Sequence, residues 1–149
     1  MGCAPTSGMR RIVLDTSVLV SAVRSRHGAS RAIVRLIGRR LLVPLATPAL
    51  SLEYEAVLKR PAQLMASSLS IAAVDRILGA LAEAVEPVTI HYAWRPQLRD
   101  VDDELVFDVA LNGRADALVT HNIRDFAVAA PRFGLRVARP AEIVREVTR

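Results

Sequence analysis

Cysteine is nearly absent from this 149-residue chain, with Cys3 the sole example, so neither an intrachain disulfide framework nor a thiolate metal site can form. Lysine is as scarce: Lys59 stands alone against nineteen arginines. Aromatic residues make up 4%, leaving Trp94, Tyr54, Tyr92 and three phenylalanines as the whole supply for stacking on unpaired bases. No apolar run reaches membrane-spanning length, because Arg39, Arg40 and Pro44 interrupt the stretch from Ile33 to Leu50, and no membrane partner is expected. The glycines never fall as Gly-x-Gly, which excludes the dinucleotide fingerprint, and Gly-x-Ser-x-Gly is missing as well. His27, His91 and His121 share no spacing with one another or with the acids, which argues against a zinc site. Met1 to Gly8 lacks the basic start and apolar stretch of a secretory signal and reads as a flexible tail, so a cytoplasmic location is expected.

What remains is a chain of single-domain size, 52% hydrophobic and able to bury a core without staples. Its net charge is +5 and its isoelectric point about 10.6, a balance that favours phosphate backbones. An arginine-rich, lysine-poor composition also follows from GC-rich coding, so charge alone does not name the partner.

Short apolar runs alternate with amphipathic stretches. Ile12 to Leu14 is too brief and too apolar to face water and reads as a buried strand, with a helix beginning near Val18. Ser30 to Arg40 predicts a helix with Ile33, Leu36 and Ile37 on one face, and Leu41 to Leu45 a second strand. Pro48 opens a helix that Arg60-Pro61 stops, and Ser70 to Glu86 forms another. Val88 to His91 is a strand candidate, Leu105 to Leu111 a helix ending at Asn112-Gly113, and Ala117 to Thr120 a strand. His121 to Asp125 reads as a loop, Leu135 to Val137 as the last strand, and Pro140 to Val147 as a terminal helix. Strands separated by helices imply an α/β protein, a three-layer α/β/α sandwich around a central, mostly parallel sheet. In such sheets the crevice lies at the carboxyl ends of the strands, where Asp15 and the 121–125 loop both fall.

The acids stand out against this basic background. Asp15 follows the first strand, Glu53 lies within a helix, Asp103 opens the helix before Leu105, and Asp125 follows a later strand. Several carboxylates brought together repel unless a hard cation with oxygen ligands joins them. Each also has a bland reading. Asp15 suits a helix N-cap, Glu53 a solvated face or a partner for Lys59 or Arg60, and Asp125 a pair with Arg124 or a turn. Asp100, Asp102, Asp103 and Glu104 are too dense for one cap, and three of the four exceed that structural need. Glu55 competes with Glu53 from roughly 200° around the same helix.

Four segments, in order, carry a resemblance. Ile-Val-Leu-Asp-Thr-Ser-Val-Leu-Val-Ser-Ala at 12–22 resembles the opening motif of PIN-domain ribonucleases. Residues 48–61, with Ser51-Leu52-Glu53-Tyr54-Glu55, resemble the second motif of their toxin–antitoxin (VapC-like) branch. Residues 100–110 and 115–126, the latter with Thr120-His121-Asn122-Ile123-Arg124-Asp125-Phe126, resemble the third and fourth. The resemblance covers the chain from Met9 onward, so a PIN-like nuclease domain is expected over 9–149 behind the 1–8 tail. It implies Mg²⁺ or Mn²⁺ held by Asp15, Glu53, Asp103 and Asp125. Asn122 stands where many relatives carry an acid and offers an amide oxygen, while Asp102 is a substitute for Asp103. It further implies an RNA substrate, a small antitoxin protein as partner, and a homodimer, for which the apolar face of the Ser70 to Glu86 helix is a candidate unless it packs on the sheet. Thr16, Ser17 and Thr120 are candidates for orienting water or phosphate, and Arg24, Arg26 and Arg124 for gripping the backbone. Two rivals remain beside the ribonuclease. A phospho-receiver domain would need a lysine at a strand end, whereas Lys59 falls at a helix end; an inactive RNA-binding or protein-interaction relative would retain the fold without the chemistry.

Overall fold

The computed structural model describes residues 10–93 and 97–149; the 1–8 tail, Met9 and Trp94 lie outside the described residues. Strand β1 (Arg10–Leu14) is followed by helices α1 (Thr16–Arg24) and α2 (Ala29–Gly38), then β2 (Leu42–Ala46). Helices α3 (Pro48–Leu58), α4 (Pro61–Ser67) and α5 (Ile71–Ala84) lead to the short β3 (Glu86–Pro87). The chain continues through α6 (Val101–Asn112), β4 (Ala117–Val119), α7 (Ile123–Phe126), α8 (Ala129–Arg132), β5 (Val137–Ala138) and α9 (Pro140–Val147).

The five strands form one sheet in the order β3-β2-β1-β4-β5, every pairing parallel. Parallel strands need crossovers, and a right-handed crossover fixes the face on which each helix lies. From β1 to β3 the sheet grows in one direction, which puts α1 to α5 on one face; the return to β4 and β5 puts α6, α7 and α8 on the other. Helix α9 then packs on α2, and α6 packs across β1, β2 and β4. Two helical layers sandwich the sheet, so Ile12, Val13 and Leu14 of the central strand are all buried, whichever face they point to. Among the described residues no single helix is long and apolar enough to cross a membrane.

Several elements depart from the sequence expectation, each for a local reason. The strand expected at Val88 to His91 is instead β3 at Glu86–Pro87, because the Asn112 side chain accepts from the His91 and Tyr92 amides and draws that segment towards α6. Pro61 stops α3 but also opens α4, since proline is as suited to a first helical position as to ending a helix. The expected loop at 121–125 contains α7, whose Phe126 is buried and stacks on Phe107 at 6.4 Å. The last strand lies at Val137–Ala138 rather than 135–137. Helix α6 begins at Val101, a turn before Leu105, so Asp102, Asp103 and Glu104 all occupy its first turn. Gly113 ends α6 without a left-handed conformation; a Cβ there would meet Val88 at 2.9 Å and Leu45 at 3.0 Å, so close packing on the sheet demands the glycine.

Candidate active site

Strand β1 has β2 on one side and β4 on the other, with the connections leading away in opposite directions. This is the switch point of the sheet, and a crevice opens outside its carboxyl edge. Asp15 sits there, 5% exposed. It occupies the N-cap position of α1, yet its side chain makes no capping bond. Instead Oδ2 accepts from the Ser17 hydroxyl at 2.8 Å and from the Thr120 hydroxyl at 2.6 Å. Thr120, fully buried at the end of β4, accepts in turn from the Asn122 amide at 2.9 Å. Two charge-assisted bonds on one oxygen fix the carboxylate plane and leave Oδ1 for a ligand. Thr16, beside Ser17, has no side-chain hydrogen bond among the described residues.

The α6 first turn brings the acid cluster to the same edge. Burial, then the charges of Asp15, Asp100, Asp125 and Asp102, push the Asp103 carboxyl up to about 7. Residues from three separated motifs, Asp15, Asp103 and Asp125, thus meet in one field. A cavity of about 580 Å³ lies beside them, lined by Asp100, Asp103, Asp125, Arg99 and Arg124 among others. Glu53 approaches from α3. Its carboxyl is raised mainly by burial and then by the Asp102 charge, with Arg60 opposing and Asp100 adding, so it shares the field of the α6 first turn. Glu55 does not compete: Lys59 neutralises it at 2.8 Å and binds Asp75 at 2.7 Å. No ion pair joins Arg124 to Asp125 among the described residues; the Asp125 amide donates to the Asn122 carbonyl at 3.0 Å, closing a turn.

Two of the clustered acids prove structural, which corrects the expectation that three were surplus. Asp100 caps α6 by accepting from the Asp102 amide at 2.8 Å. Glu104, 4% exposed, accepts from the Gln97 and Leu98 amides at 2.6 and 2.7 Å, although its Oε2 finds no partner among the described residues. Asp102 and Asp103 are what remains.

Tyr54 and Ser30 are site supports that sequence reasoning missed. The buried Tyr54 hydroxyl donates to the Leu14 carbonyl at 2.5 Å, tying α3 to the residue before Asp15 and fixing the rotation that presents Glu53. Burial foremost, then the Asp15 charge, raises its phenol well above the usual range. Its adjacency to Glu53 was the available signal. Ser30 shares a 2.8 Å hydrogen bond with His121 across ninety-one positions, which no local pattern announces.

The donor set at this edge is all oxygen, the chemistry of a hard divalent cation rather than of zinc. Among the described residues no three acids or histidines stand close enough to enclose an ion, so the carboxylates form an open half-shell that a cation would have to draw together. In charge and donor type the residues fit such an ion. The PIN domain family matches residues 11–124, most of the chain, and the protein belongs to that family, whose members are typically nucleases. The matched stretch takes in Asp15, Glu53, Asp103 and Asn122 and stops one residue before Asp125. No curated protein matches the chain.

Proposed function

We propose that the protein is a metal-dependent endoribonuclease that hydrolyses RNA phosphodiester bonds at the carboxyl edge of its sheet. The carrying observation is the convergence of Asp15, Asp103 and Asp125, from three distant segments, on one edge where burial, and then the neighbouring carboxylates, hold the Asp103 carboxyl near 7. Asp15, Glu53, Asp103 and Asp125 would hold Mg²⁺ or Mn²⁺, with Asp102 and the Asn122 amide oxygen as further donors. When bound, such a cation offsets charge on the phosphate oxygens and supplies Lewis acidity for hydrolysis. Ser17 and Thr120 keep Asp15 oriented, because both hydroxyls donate to its Oδ2. The Asp103 carboxyl is held up at about 7, and a cation bound there would favour its ionised form. Arg99 and Arg124 line the cavity, where a guanidinium can grip a phosphate bidentately. From Thr16 to Leu52 the chain has six arginines and no acid, and Arg24 and Arg26 are exposed where α1 turns into α2. Such a surface suits a polyanion.

The finer reading is the toxin of a toxin–antitoxin pair, supported by the resemblance of the four motifs to that branch. A small antitoxin would then cover the acidic cavity, an arginine among the carboxylates being the natural plug, and the same resemblance supports a homodimer. One observation favours a second reading, a catalytically weak RNA-binding relative: Asn122 stands where an acid would strengthen the half-shell, and among the described residues no three-ligand cage is formed. Cleavage of a mixed RNA pool by purified protein with Mg²⁺, Mn²⁺ or EDTA, wild type beside Asp15→Asn, separates the two. Metal-dependent cutting lost in the variant supports the enzyme. RNA binding unaffected by metal or mutation, with no cutting, supports the binding module.

A further inference from the structure

Helix α2 contributes none of the acids, yet one of its side chains reaches the catalytic edge. Ser30, 2% exposed in the first turn of α2, shares its 2.8 Å hydrogen bond with His121 Nε2. His121 lies on the bend between β4 and α7, flanked by Thr120, which holds Asp15, and Asn122. Its backbone amide donates to the Ser17 hydroxyl at 3.2 Å, and that hydroxyl donates to Asp15 Oδ2 at 2.8 Å. Residue 121 is therefore fastened twice, through its backbone to α1 and through its ring to α2. Thr120 is set by the sheet, its amide donating to the Ala138 carbonyl at 3.0 Å. Beyond it, among the described residues, no ladder bond reaches Asn122, whose amide rests on the Thr120 hydroxyl alone.

We infer that Ser30 and His121 form a positioning pair, with α2 acting through the His121 ring to hold the bend that orients Asp15, Asn122 and Asp125. The bond sits at the boundary between a buried hydroxyl and an exposed loop, where one contact decides whether the loop has one arrangement or several. Without it the bend keeps its sheet anchor at Thr120 but loses its lateral restraint. The Ser17 hydroxyl then loses its incoming amide, and Asn122 and Asp125 are no longer fixed relative to Asp15. Either neutral tautomer of the ring can share this bond with a hydroxyl, which both donates and accepts.

The inference rests on the nuclease reading only for its effect on turnover; its geometric part is tested without activity. Amide hydrogen exchange of the full chain is compared for wild type, Ser30→Ala, His121→Leu, the double variant and His121→Gln, whose amide can replace Nε2. Each single variant is expected to accelerate exchange at the His121 and Asn122 amides about tenfold, the worth of one hydrogen bond. The double variant should add nothing further, His121→Gln should restore protection, and Val119 in β4 should not change. In RNA cleavage kcat should fall in the same pattern with KM unchanged. Unaltered exchange at 121 and 122, additive effects, or acceleration throughout β4 would overturn the pair. A wild type that never cleaves RNA would sink the nuclease reading, while the exchange pattern would still decide the pair.

Discussion

The two ends of β1 show opposite treatments of charge. At its start Arg10 pairs with Glu146, which Arg136 also grips, and Arg11 pairs with Glu86 while its amide donates to Asp116 at 2.8 Å. The acids of this amino edge therefore meet cations; Glu146 is held down at about 2 by its bonds to Arg136 and Arg10. At the other end Asp15 is met by hydroxyls and by further carboxylates, and Asp103 is driven up to about 7. The chain has a surplus of arginine and spends none of it on an ion pair with Asp15 or Asp103 among the described residues. Opposite charge at one edge fastens strands together. Like charge at the other end leaves carboxylates without a counter-charge, and perturbed groups of that kind cluster at functional sites.

The apolar groove of about 520 Å³ between α3 and α5 sharpens the contrast. It has a comparable size, but its acids, Glu55 and Asp75, are both neutralised by Lys59. Cavity size does not separate the two places; unpaired charge does.

The strongest way to break the comparison is Asp103→Asn. On the proposed nuclease reading it should lower metal-dependent cleavage by about 100-fold, the upper end of what loss of a supporting residue costs, while raising stability at pH 8. An unfolded aspartate ionises near 3.8, whereas the folded carboxyl holds its proton to about 7. The stability that this mismatch confers is present below the unfolded value and is lost as pH rises through the folded one. Thermal unfolding should therefore show the variant gaining on wild type between about pH 4 and 7 and staying ahead above. Wild type should recover that loss when Mg²⁺ is added, by linkage. A variant less stable at pH 8 would mean that burial and the neighbouring carboxylates do not disfavour the Asp103 charge as described.

A smaller effect is expected of Tyr54→Phe, which removes the bond to Leu14 and nothing else. Denaturant unfolding should register a loss of about 1 kcal/mol, accompanied by a fall in kcat as Glu53 loses its fixed rotation. Unchanged kcat with the full stability loss would confine Tyr54 to packing. The smallest effect belongs to the amino edge. Because the folded Glu146 carboxyl lies below its ordinary 4.5, its stabilising contribution exists above that value and fades as pH falls towards about 2. Glu146→Gln should thus lower the melting temperature slightly at pH 7, less at pH 3, and leave cleavage untouched, since exposed pairs are screened by water.

Much of this was legible beforehand because it depends on local pattern. Ile12 to Leu14 is a buried strand by its apolar run, and α3 begins at Pro48 because proline suits that position. The acids at 15, 53, 103 and 125 stand out because isolated carboxylates among apolar residues need a reason. What misled was equally local. Pro61 reads as a stop though it also starts α4, and the acidic run 100–104 does not reveal that Asp100 caps or that Glu104 holds the 97–98 amides.

By itself the sequence determined the α/β alternation, the parallel sheet that follows from it, and the inventory of oxygen donors, since period, turn residues and charge are properties of neighbouring residues. Only the tertiary structure decided that Glu53 lies in the field of Asp102, that Asp15 is held by Ser17 and Thr120, and that Ser30 reaches His121. Those partners lie up to 105 positions apart. Their meeting depends on strand order and crossover hand, which bring distant segments to one edge and which no single segment encodes.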